Sequence, residues 1–168
     1  GARYQNGKWI DILYGRPLLR GREAFTGTGA DYGKATNGPD ATVWRAGANN
    51  TTVLKTEVPL VIGGRPVPAG EYGVLIDFRG PTQWTLVLTS QPRQAQFDAN
   101  NKTDLNGATN YDPKFGLLRA PMTVRTGDAS VEQFTINFAN VTDAGATITM
   151  AWEKTVATID LKVALGTK

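Results

Sequence analysis

Apolar and polar positions alternate along most of this chain. Phe134-Thr135-Ile136-Asn137-Phe138 puts three apolar residues on one face and two polar ones on the other. Trp84-Thr85-Leu86-Val87-Leu88 and Tyr72-Gly73-Val74-Leu75-Ile76-Asp77-Phe78 do the same, with some apolar residues on both faces. A period of two marks half-buried strands. Strands are expected near residues 8–14, 42–46, 52–62, 65–67, 71–78, 83–90, 115–126 and 131–139, with 145–164 as a hairpin. In that hairpin Ile148, Met150 and Trp152 share a face of one arm, and Ala157, Ile159, Leu161 and Val163 share a face of the other. Glu153 and Lys154 stand at the turn. Gly63-Gly64, between two short apolar runs, predicts a second tight hairpin, because glycine tolerates the positive φ of a primed turn. Pro68-Ala69-Gly70 then turns the chain into the Tyr72 strand.

No segment carries the pattern of a long amphipathic helix. Residues 18–25 could form one short turn, weakened by Gly21. Without crossover helices the strands must pair mostly antiparallel. The expected fold is all-β, an antiparallel β-sandwich (jelly-roll-like or a flattened barrel) of about nine strands. One domain is expected over residues 1–168, long enough to build a core without staples. Two stretches read as long loops, 26–40 and the Asn/Asp-rich 98–112. Loops on a rigid sandwich are where binding residues usually sit.

Composition removes several chemistries. There is no cysteine, hence no disulfide and no thiolate metal site, and no histidine, hence no Ser-His-Asp triad and no imidazole ligand. Ser90 and Ser130 are the only serines, and neither lies in a Gly-x-Ser-x-Gly elbow. An enzyme is therefore not the favoured reading, and no cofactor is expected. A hydrolase would have to run on two carboxylates, such as Glu23, Glu71 or Asp77, as glycosidases do. Asp77 falls opposite the Tyr72-Val74-Ile76-Phe78 face, which makes solvent exposure its plain explanation. The net charge of +3 comes without a basic stripe or aromatic-basic alternation, so no nucleic-acid partner is expected. No apolar run is long enough to predict a membrane span. In the 98–112 loop, Asp98, Asn100, Asp104, Asn106 and Asp112 could offer oxygens to calcium. Lys102 stands where an EF-hand would need its first acid, and a turn-rich solvated loop is the better reading.

The candidate binding site is the group Tyr14, Arg16, Arg22, Trp44, Arg45 and Asn49. Three guanidiniums could hold an anionic small molecule or the acidic groups of a glycan, with Trp44 as an apolar wall and Asn49 orienting ligand or loop. The competing, favoured reading is structural. Each guanidinium would cap backbone carbonyls or pair with an acid, since a buried arginine needs partners.

The same residues carry a resemblance. Tyr14-Gly15-Arg16-Pro17, Gly21-Arg22, Val43 to Asn49, the Gly64…Pro68-Ala69-Gly70…Tyr72 run, Trp84, Tyr111-Asp112-Pro113, Glu132 to Phe138 and Trp152-Glu153 follow in order. That series resembles the bacterial family known as domain of unknown function 2911. The resemblance implies a secreted or periplasmic domain whose signal peptide has been removed, and it implies no particular activity. The stretch from Gly27 to Thr42 is longer than the family pattern, as is the loop from Gln91 to Asn110. Glu71 replaces a small or hydroxyl residue.

Overall fold

A computed structural model describes residues 7–38 and 40–164. Nine strands form two sheets: β1 (Ile10–Leu13), β2 (Thr52–Thr56), β3 (Leu60–Ile62), β4 (Arg65–Val67), β5 (Gly70–Gly80), β6 (Gln83–Thr89), β7 (Gly116–Pro121), β8 (Thr123–Thr142) and β9 (Gly145–Val163). The first sheet runs β1-β2-β5-β6-β7 and the second β4-β3-β9-β8. Every strand pair is antiparallel. The fold is the expected β-sandwich, and the two sheets do not close into a barrel. The helical content is slight: one turn of α-helix, α1 (Lys34–Asn37), and two single turns of 3-10 helix.

The two predicted hairpins form where their turn residues stand. Gly63 and Gly64 both take positive φ, 56° and 78°, between β3 and β4. β9 is not one straight strand: it folds back on itself at Glu153-Lys154. The Val163 N–H donates to the Ala144 carbonyl at 2.8 Å, and the Thr147 hydroxyl donates to the Asp160 carboxylate at 2.9 Å, so the two arms lie side by side. Glu153 opens that turn with φ 54°. β8 wraps the hairpin tip. Its residues 123–126 pair with 155–158 and its residues 135–139 pair with 147–151, with register shifts between.

Four predicted strands change. The predicted 115–126 strand divides at Met122 between β7 and β8, and β8 runs on through the predicted 131–139 strand. Residues 42–46 do not form a strand; they touch β5 only through a bridge between Trp44 and Ile76, with bonds of 2.7 and 2.8 Å. Ala46, Gly47 and Asn49, all at positive φ, turn the chain away before a ladder can grow. The predicted 52–62 strand is broken into β2 and β3. There the Thr56 hydroxyl donates to the Val58 carbonyl and accepts from the Val58 N–H, and Pro59 has no N–H to continue the ladder.

One end of the sandwich is filled by aromatic rings. Phe25, Tyr32, Trp44, Phe78, Trp84, Phe134 and Trp152 meet there, with Trp44 lying parallel to Trp152 at 6.2 Å and 8°. A second, smaller apolar cluster forms on the outer face of the first sheet. Leu75 and Val87 point outward and are covered by Val43 and Leu105, with Ala108 and Tyr111 against them. Residues 40–43 and the loop 93–112 are therefore part of the packed structure, and depressions open beside them on that face.

Candidate functional site

Most of the signature residues serve the scaffold. The Tyr14 hydroxyl donates to the Ile136 carbonyl and accepts from the Ile136 N–H, at 3.3 and 2.9 Å, and so ties the chain after β1 to β8. Arg16 donates to the Phe134 carbonyl and the Thr135 hydroxyl. Arg22 donates to the Leu18 carbonyl and lies 5.6 Å above the Trp152 ring, a cation–π geometry. Arg45 donates to the Asn49 carbonyl at 2.8 Å. Asn49 sits exposed at φ 64°. Trp44 is 1% exposed, so it cannot be the wall of an open pocket. Tyr14, Arg16, Arg22 and Trp44 gather around the β8–β9 hairpin, while Arg45 and Asn49 point to the other side, against Gly107.

Close backbone approach explains the glycines of two motifs. A Cβ on Gly15 would sit 2.0 Å from the Ala48 carbonyl oxygen, and one on Gly47 would sit 2.6 Å from the Gly15 carbonyl oxygen. The Tyr-Gly-Arg-Pro and Arg-Ala-Gly-Ala segments thus pack main chain to main chain. Two motif acids act as latches: Glu132 accepts from the Arg20 N–H and Glu153 from the Ala24 N–H, each at 2.9 Å.

The 98–112 loop satisfies itself. Asp98 accepts from the Asn100 N–H, Asp104 from the Asn101 amide, and Asn101 from the N–H groups of Thr103 and Asp104. Gln91, buried and unremarkable in the sequence, pins the loop by donating to the Thr103 and Asn110 carbonyls and accepting from the Asp112 N–H. The Lys114 N–H and ammonium hold the Asp112 carboxyl below its ordinary range. Among the described residues no three acids gather in a way that could hold a metal ion.

Asp77 corrects the expectation of solvent exposure. It is 6% exposed, on the outer face of the first sheet in the same row as Leu75. Burial of an acid requires partners, and it has two: Arg79 at 3.0 Å, and Arg119, which reaches across from β7. Both bonds go to Oδ2. A clue was present in the sequence. Leu75 and Val87 are apolar on the face taken as solvated, which means that something covers it, and Asp77 shares that face.

Asp77 lines a depression of about 630 Å³ together with Tyr32, Lys34, Asn37, Asp40 and Arg79. The volume is that of an ordinary small-molecule site. Gly29, Ala30, Ala41, Thr42 and Phe78 complete the walls. The Asn37 side-chain Oδ1 is buried and has no partner among the described residues.

Burial pushes the Tyr32 phenol above its ordinary value of 10.0; the Trp84 indole pulls it down and the Glu153 charge pushes it further up. The fold thus prefers the neutral phenol. Its contribution is complete below 10.0 and is lost as pH rises through the raised folded value. Tyr72 moves the same way, again through burial. Thermal melts above about pH 10 should show the protein losing stability, with Tyr32→Phe losing less. Equal losses for the two proteins would contradict this assignment.

With this geometry in place, the chain can be set against known proteins. It matches the family described as Protein of unknown function (DUF2911) over residues 2–161 and belongs to it. No curated protein and no solved structure matches it.

Proposed function

We propose that this member of the domain of unknown function 2911 family is a non-enzymatic binding module, exported from a bacterial cell, that takes a neutral glycan in the depression beside Asp77. One observation carries the reading: the walls mix acceptor-only carboxylates, Asp40 and Asp77, with donor-only cations, Lys34 and Arg79. A hydroxyl both donates and accepts, so a polyhydroxy ligand can meet either kind of group, beside the pairs that Lys34 makes with Asp31 and Arg79 with Asp77. An anion would face two carboxylates and a cation two positive groups. Among the described residues nothing donates to Asp77 Oδ1, which leaves it to accept from a ligand hydroxyl, while the arginines on Oδ2 fix its orientation. The guanidinium group supports an anion site less well, because Arg16 and Arg22 already serve carbonyls and Arg45 points to the other side, against Gly107.

The test is a panel of soluble polysaccharides and their fragments, read by calorimetry and by release of reducing ends. Saturable binding without release is the expected result. Asp77→Asn should weaken it by roughly tenfold or more, the worth of a hydrogen bond to a charged group. Release of reducing ends would favour the carboxylate hydrolase instead, since Asp40 and Asp77 line one depression. Export draws on the family resemblance alone; recovery of the native protein only from the cytosol would remove that part.

A further inference from the structure

A second depression, of about 370 Å³, lies beside the first. Asn37, Asp40, Ala41 and Thr42 line both. The two adjoin, one half on each side of the shared residues 40–42. The far wall of the second half is made by Arg45, Ala108, Thr109, Asn110 and Tyr111.

We infer that this second half is a further subsite for the same ligand, and that the ligand is accordingly a linear oligosaccharide or polysaccharide segment. The inference rests on the glycan reading above and adds the chain length. Its chemistry repeats that of the first half. Arg45 has only its Nη1 committed, to the Asn49 carbonyl, which leaves its other N–H groups as donors. Asn110 has its Nδ2 fixed on the Asn101 and Asp104 carbonyls, which orients its Oδ1 as an acceptor. Tyr111 offers a ring backed by the small outer cluster. The wall is held in place before any ligand arrives, because Gln91 pins both Asn110 and Asp112. Preorganised contacts of this kind add affinity without a new ordering cost. A single sugar ring meets one half only, whereas a chain crossing 40–42 meets both.

The experiment is calorimetric titration with the disaccharide and the hexasaccharide of the cello-, xylo-, chito- and malto- series. The hexasaccharide of the recognised series should bind about tenfold more tightly than its disaccharide, by linkage of two subsites. Thr109→Trp, at an exposed position on the far wall, should bring the hexasaccharide down to the disaccharide's affinity and leave the disaccharide unchanged. Equal affinity for the two lengths in the unaltered protein would overturn the inference while leaving the glycan reading standing. So would a Thr109→Trp protein with an unchanged melt that weakens both ligands equally or neither. Binding of no oligosaccharide in any series would overturn the glycan reading and this inference with it.

Discussion

Trp44→Ala is expected to cost about 3–5 kcal/mol of folding stability, the range for truncating a large buried aromatic. The indole is 1% exposed and sits among Phe25, Phe78, Trp84, Phe134 and Trp152, with ring centroids 4.9–6.4 Å away. Removing it opens a cavity where the two sheets and the 18–25 loop converge. A polar side chain could not fill the gap without leaving its own donors unpaired. For a domain of this size the loss corresponds to roughly 10 °C in Tm. Trp44→Phe should cost clearly less, since a ring remains in place. Urea unfolding of the two variants measures both. Were Trp44 instead a wall for ligand, Trp44→Ala would weaken binding and leave the melt near that of the unaltered protein.

The second large effect is expected at the ion-paired acid. Replacing both Arg79 and Arg119 by alanine leaves the Asp77 carboxylate, whose side chain is 8% exposed, without its two cationic partners. Because the arginines themselves are roughly half or more exposed and their removal opens Asp77 to water, the cost is about 1–3 kcal/mol, that of a carboxylate losing its charged hydrogen bonds. Adding Asp77→Leu to that double variant should recover most of the loss. The leucine would extend the outer row of Leu75 and Val87, and a well-packed apolar group in place of an ion pair is often neutral. Chemical denaturation of the double and triple variants tests the claim. A triple variant as unstable as the double would show that the arginines stabilise the sheet through contacts other than Asp77. Both variants should have lost the glycan, because the acceptor or its orientation is gone.

The fold was readable wherever local chemistry and alternation agreed. Gly63-Gly64 and Glu153-Lys154 mark real turns. The apolar phase also changes from even positions at Ile148, Met150 and Trp152 to odd ones at Ala157, Ile159 and Leu161, as a two-residue turn demands. It failed where alternation met no partner. Val43-Trp44-Arg45 has the pattern of a strand, but three positive-φ residues follow at once. For the candidate site, residue type was a poor guide. A guanidinium in a glycine-rich segment looks the same whether it meets a ligand or a carbonyl, and only the bonds from Arg16, Arg22 and Arg45 to main-chain carbonyls decide it here. Asp77 was misplaced because one face of β5 was assumed to be wet. The loop residues that cover it lie more than ten positions away in sequence on either side, beyond the reach of a periodicity argument.

The central claim is that the family signature builds the scaffold and that the ligand meets the outer face of the first sheet. The most direct test is a map of backbone amide shifts during titration with the tightest-binding oligosaccharide. The largest changes are predicted at residues 40–42, 77–79 and 108–111, with Arg16, Arg22 and Thr135 unmoved. Largest changes at Arg16, Arg22 and Thr135, with 77–79 silent, would contradict it.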